Sequence, residues 1–137
     1  MMKKPNKQNM LKITNRELES KVNILRNLSN MKLPVKVSYV IAKNIKEIDR
    51  ELNILLDEKM KLIKEYALKD ENGNPKVENG KYLFNDEEKE ECNSKYAELL
   101  DIEVELKLME INTEDLINSD VELTPNDLIQ LEFMLKE

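Results

Sequence analysis

Histidine is absent from this chain, and with it go the commonest general base and the commonest transition-metal ligand. Imidazole-based triads and zinc sites are excluded. Glycine occurs only at Gly73 and Gly80, so no Gly-rich loop can cradle a phosphate as a P-loop or a dinucleotide fingerprint does. The single cysteine, Cys92, rules out an internal disulfide and suits a reducing compartment. Tryptophan is missing, and four Tyr and two Phe leave few platforms for stacking on nucleic-acid bases. Apolar runs such as Val40-Ile41-Ala42 and Ile54-Leu55-Leu56 fall far short of the roughly 20 residues that span a bilayer. The basic start, Met1-Met2-Lys3-Lys4-Pro5-Asn6-Lys7, leads into charged amphipathic sequence where a signal peptide needs a continuous apolar stretch. A cytoplasmic location is expected, with no membrane partner and no cofactor.

What the chain does contain is charge and helix-period hydrophobicity. Of 137 residues, 40% are apolar and 36% charged, enough for one core beneath a heavily charged surface. A single domain over 1–137 is expected, with 1–9 as a flexible basic arm. The net charge of −6 conceals a gradient. Residues 1–36 hold nine basic and two acidic side chains, whereas 69–137 hold seven basic and twenty acidic ones. The two ends should attract each other.

Met10-Leu11-Lys12-Ile13 reads as a strand. Thr14-Asn15-Arg16-Glu17 forms a capping box and opens a helix whose Leu18, Val22, Leu25 and Leu28 share one face. Pro34 fits the first turn of the next helix. There Ile41, Ile45, Ile48, Leu52, Leu55, Lys59, Leu62 and Tyr66 alternate spacings of four and three, a coiled-coil-like seam that predicts a helix near 35–68. Turn signals crowd 69–85, and Asn79-Gly80 tolerates the positive φ of a type I′ turn, so 76–84 reads as a β-hairpin at the tip of a helical hairpin. Asn85 or Asp86 caps a returning helix near 86–100 that buries Cys92, Tyr96, Leu99 and Leu100. From Ile102 the apolar period becomes two, predicting a strand near 102–110 whose natural partner is 10–13. Thr113-Glu114-Asp115 opens a short helical turn, and Thr124-Pro125-Asn126-Asp127 starts a last helix. The expected fold is α+β, mostly α: an antiparallel long-helix hairpin, a β-hairpin at its tip and a small two-stranded sheet.

Candidate chemistry is thin. Asp70, Asn72 and Asn74 loosely resemble a calcium loop, but Pro75 stands where the sharp-turn glycine belongs and Lys81 where the bidentate Glu belongs. The acids Asp86, Glu87, Glu88, Glu90 and Glu91 read as a solvated helix cap rather than as catalytic carboxylates. Cys92, with no histidine to activate it, reads as a small buried hydrophobe. Lys59 on the apolar seam should snorkel to solvent or pair with an acid. The basic arm, with Lys3, Lys4, Lys7, Lys12, Arg16, Lys21 and Arg26, could touch phosphates, although net charge and aromatic content argue against nucleic acid. The acids Glu103, Glu105, Glu110, Glu114, Asp115, Asp120 and Glu122 could instead imitate DNA phosphates toward a basic protein groove.

Several stretches together resemble a family of short proteins encoded by phages and prophages of low-GC Gram-positive bacteria. They are Thr14-Asn15-Arg16-Glu17-Leu18, Leu33-Pro34-Val35-Lys36-Val37-Ser38-Tyr39, Ile41-Ala42-Lys43-Asn44-Ile45, Asp70-Glu71-Asn72-Gly73-Asn74-Pro75, Leu123-Thr124-Pro125 with Leu128, and Leu131-Glu132-Phe133-Met134. The resemblance carries no catalytic motif and implies a setting: a phage product inside its bacterial host. The expected function is therefore that of a protein-binding factor rather than an enzyme, one that inhibits or modulates a host protein, with anti-CRISPR or other anti-defence activity as its sharpest version. A phage structural or assembly protein and a nucleic-acid-binding accessory are the alternatives, and the oligomeric state is open. Two partner surfaces are expected: the strip Val37, Val40, Ile41 and Asn44, on the argument that apolar residues flanking the seam exceed the needs of one core, and the acidic Glu103, Glu105 and Glu110.

Overall fold

A computed structural model describes residues 8–136. Its elements run β1 (Gln8–Thr14), α1 (Asn15–Ser29), α2 (Val35–Tyr66), β2 (Val77–Glu78), β3 (Lys81–Tyr82), α3 (Asp86–Leu100), β4 (Glu103–Met109), β5 (Ile111–Asn112), α4 (Thr113–Ile117), α5 (Pro125–Leu131), a 3-10 turn (Glu132–Met134) and β6 (Leu135–Lys136). The fold is α+β and mostly helical, with strands confined to two-stranded sheets. Residues 1–7 of the expected basic arm lie outside the described residues, and β1 begins at Gln8, inside the segment expected to be flexible.

The change of period at Ile102 marks a strand. β4 pairs antiparallel with β1, placing Leu11 opposite Leu106, Lys12 opposite Glu105 and Ile13 opposite Val104. Alternation sends Leu106 and Leu108 into the core at 0% exposure and leaves Glu103, Glu105 and Lys107 in solvent. At the start of α1, the Glu17 carboxylate accepts from the Thr14 amide at 3.4 Å and from its hydroxyl at 3.2 Å. A fully reciprocal box opens α5: the Asp127 amide donates to the Thr124 hydroxyl at 3.1 Å, and the Thr124 amide to the Asp127 carboxylate at 3.0 Å. Asn85 stands at the N-cap position of α3 without a side-chain cap bond.

α2 spans 32 residues and changes role along its length. Its first half is a core helix: Val37, Val40, Ile41 and Ile48 join Leu18, Val22 and Leu25 of α1, Leu106 and Leu108 of β4, and Ile111, Leu116, Leu131 and Met134 of the C-terminal elements in one apolar cluster. Its second half leaves that cluster and packs on α3. Tyr66 bonds Glu91, and Lys59 lies over Tyr96, so numbers rise on α3 as they fall on α2 and the helices run antiparallel. Between them the chain makes nested turns. The Asp70 carboxylate accepts from the amides of Asn72 at 2.9 Å and Asn74 at 3.0 Å, and Asn79 and Gly80 both take positive φ, 53° and 76°, between β2 and β3.

Two buried asparagines hold the pieces together. Asn44, 1% exposed, donates to the Met109 carbonyl at 2.9 Å and accepts from the Met109 amide at 2.8 Å, while its Nδ2 lies 3.8 Å from Met134 Sδ. Asn15 donates to the Leu99 carbonyl at 2.9 Å, tying the start of α1 to the last turn of α3. Sequence periodicity gave no warning of the short parallel pairing of β5 with β6, Ile111 opposite Leu135 and Asn112 opposite Lys136.

Candidate functional site

The strip Val37, Val40, Ile41 and Asn44 is not a surface, which corrects the expectation that it is surplus. Each of the four is 1% exposed. The first half of α2 shares one apolar cluster with α1, β4 and residues of the C-terminal elements, so a stripe wider than one neighbour needs is consumed by that cluster. The apolar surface on this part of α2 belongs instead to Val35 and Tyr39, 86% and 57% exposed, with the Lys43 ammonium 5.9 Å from the Tyr39 ring centroid.

The three acids do not form one surface either. Glu103 and Glu105 lie on the solvent face of β4, where Glu105 meets Lys12 at 3.6 Å and Lys107 follows, so the face is mixed in sign. Glu110 is half-buried beyond the end of β4. Several basic residues of the N-terminal segment are likewise engaged within the fold. Arg16 meets Asp101 at 2.9 Å, Arg26 meets Asp49 with bonds of 2.6 and 2.7 Å, and the Lys21 ammonium lies 4.9 Å from the Phe133 ring centroid. The attraction between the basic N-terminal and acidic C-terminal segments is thus partly spent inside the fold, which weakens the phosphate-binding reading of these cations.

An apolar concavity lies where α2, α3 and the β2–β3 hairpin converge. It is an open cavity of about 250 Å³ lined by Leu62, Ile63, Tyr82, Phe84, Cys92 and Tyr96, with Lys59, Gly80, Lys81 and Asn93 completing its wall. Each element contributes for a local reason. Leu62 and Ile63 are late apolar positions of α2, Cys92 and Tyr96 are spaced four apart on the facing side of α3, and the tight Asn79-Gly80 turn precedes Tyr82, which joins the wall. The Tyr82 hydroxyl reaches Met60 Sδ at 4.0 Å, and Met60, Val77 and Tyr82 extend an apolar margin outward at 37%, 54% and 37% exposure.

Lys59 departs from its expected role. Its ammonium sits 5.1 Å from the Tyr96 ring centroid, a cation–π contact that lets a cation remain on an apolar seam. Burial pushes the Cys92 thiol above its ordinary pKa, Glu65 adds to the rise, and Lys59 opposes it. Burial, followed by the charges of Glu65 and Glu91, similarly raises the Tyr66 phenol. Cys92 is a buried thiol on an apolar wall, in surroundings that disfavour its thiolate. What the arrangement can do is hold an apolar or aromatic group against Tyr82, Phe84 and Tyr96. Sequence reading missed the cavity because Phe84 and Tyr82 join it through the turn geometry, not through any period.

Among the described residues, no group of three or more Cys, Asp or Glu is placed to hold a metal ion, and no helix is long and apolar enough to cross a membrane. Comparison with family models, with curated proteins and with solved structures gives no match.

Proposed function

We propose that this protein is a binding factor that docks another protein through the cleft between α2, α3 and the β2–β3 hairpin, taking an apolar or aromatic side chain of its partner as an anchor. The observation that carries the reading is the cleft itself: an open, apolar, aromatic-lined cavity of about 250 Å³ with further exposed apolar residues at its margin. Clefts that accept a buried aromatic or aliphatic anchor are where binding energy concentrates in protein interfaces. The resemblance to short phage and prophage proteins supports the setting, a phage product acting on a host protein in the bacterial cytoplasm. Inhibition of a host defence system is the sharpest form of that role.

Asn93 is exposed and lines the cavity, so Asn93→Trp should plug the cleft without disturbing either helix. Affinity capture from host extract is then compared for the wild type and the plugged variant. A protein retained by the first, lost by the second and able to slow alkylation of Cys92 supports docking in the cleft. Equal capture by both variants removes the cleft from the binding site. If the retained protein is a phage structural component, the assembly role replaces the inhibitory one.

A further inference from the structure

The β1–β4 sheet has two edges, and they are treated differently. In an antiparallel pair, opposite residues alternate between those that bond each other and those whose amide and carbonyl point outward. Met109 turns both groups toward Asn44 of α2, and the Lys107 amide reaches Glu47 at 3.4 Å, so these residues belong to the outward-pointing set. Their partners in register are Gln8 and Met10, and the next members are Lys12 opposite Glu105 and Thr14 opposite Glu103. The Thr14 amide confirms the phase by bonding the Glu17 carboxylate at 3.4 Å, away from β4. On the β4 side, then, α2 side chains take both outward groups of Met109 and the Lys107 amide, and the outward positions beyond them carry the acids Glu105 and Glu103. On the β1 side the amides and carbonyls of Met10 and Lys12 point outward with no hydrogen-bond partner among the described residues, and both side chains are exposed, Met10 at 51%.

We infer that the free edge of β1 is a strand-addition site for an extended acidic segment of a partner protein. An unpaired edge is a template for an incoming strand, with main-chain bonds supplying affinity and alternate side chains supplying selectivity. Charge selects the occupant. Lys12 stands on the edge, already faces Glu105 on its inner side, and follows Lys3, Lys4 and Lys7 in a stretch of sequence that holds no acid before Glu17. A second copy pairing through the same edge would bring two such basic segments alongside each other, whereas a strand carrying acids at alternate positions repeats the complementarity that β4 displays toward Lys12. The site is separate from the helical cleft, so either can fail without the other.

The test uses the intact protein and a fluorescent peptide of alternating Glu and Val, with a Lys-Val peptide of the same length as its counterpart, read by anisotropy. The acidic peptide should bind with a dissociation constant below about 1 mM and the basic one should not. Lys12→Glu should weaken binding about tenfold, by loss of one charge pair and gain of a repulsion. Met10→Pro removes an outward amide that the β1–β4 ladder does not use, which an edge strand tolerates, and should abolish binding while the melting temperature holds. Should that variant unfold, an acidic peptide N-methylated at alternate residues makes the same point, since it cannot complete the main-chain ladder. No binding of the acidic peptide, or equal binding of the basic or N-methylated one, overturns the inference. Concentration-dependent dimerisation of the wild type that Met10→Pro removes would overturn it in favour of a second copy.

Discussion

The two halves of α2 share one helix and one apolar period yet live in different surroundings. From Val37 to Ile48 the helix is pressed on several sides, and Val37, Val40, Ile41, Asn44 and Ile48 sit at 0–1% exposure. From Leu55 to Ile63 the same seam meets α3 and a short hairpin, leaving Ile54, Leu56 and Met60 between 37% and 53% exposed and a cavity open beside it. The period of a stripe says which residues share a face. How deeply the face is buried depends on how many elements arrive to cover it, and that is a property of the whole chain.

The sharpest break of this comparison is a charge placed in the first half. Val40→Glu puts a carboxylate where the side chain is 1% exposed and where none of its core neighbours could neutralise it. A loss of more than about 4 kcal/mol is expected, read as absence of a cooperative thermal transition. Retention of the wild-type melting temperature would return Val40 to the surface.

Matched truncations sharpen it. Ile48→Ala, in the main cluster at 0% exposure, should cost about 4 kcal/mol, and Ile63→Ala, beside the open cavity at 7%, about 2 kcal/mol. Urea unfolding measures both. Amide hydrogen exchange should also be faster over 54–66 and 86–100 than over 37–48, because fewer buried apolar contacts hold the outer half. Equal costs and equal protection would make α2 one cooperative unit.

Much of this architecture was legible in the chain, for reasons that are local. The Thr14–Glu17 and Thr124–Asp127 pairs announce helix starts within four residues, Asn79-Gly80 announces its turn by the conformations it tolerates, and Ile102-Val104-Leu106-Leu108 announces a strand by period alone. Even the pairing of β4 with β1 could be reached by elimination among few candidate strands. Asn44 was not legible as a core residue, since an amide on an apolar stripe looks the same whether it meets water or the two outward groups of Met109. Val37, Val40 and Ile41 looked surplus only because β5, α4, α5 and β6 carry too little periodicity to reveal that they contribute to the same apolar cluster. The cleft was hidden for a related reason: its wall joins residues of α2, β3, α3 and the segment between β3 and α3.

Chemistry at the cleft gives a finer, smaller contrast. Because Cys92 is buried and its thiol is raised, iodoacetamide at pH 8 should alkylate it several-fold more slowly than free cysteine, with the rate still climbing as pH passes the usual thiol range. The signs of the neighbours differ. Glu65→Gln removes a negative charge that disfavours the thiolate and should speed the reaction, whereas Lys59→Met removes a positive charge that favours it and should slow it. If both changes left the rate alone, access rather than charge would control the thiol.

The smallest effects belong to the ion pairs made by the basic N-terminal segment. Arg26–Asp49 is the best of them, with two bonds to one carboxylate and side chains 52% and 32% exposed, while Lys12–Glu105 spans 3.6 Å between side chains 68% and 54% exposed. Exposed pairs contribute about 0.2–1 kcal/mol, so Arg26→Ala should fall near the top of that range and Lys12→Ala near the bottom. Adding about 1 M salt, which shortens the screening length to about 3 Å, should shrink both differences. Urea titrations of the two variants at low and high salt decide the matter. Equal, salt-insensitive losses would mean that the packing of the arginine and lysine stems, and not their charge, ties these surfaces together.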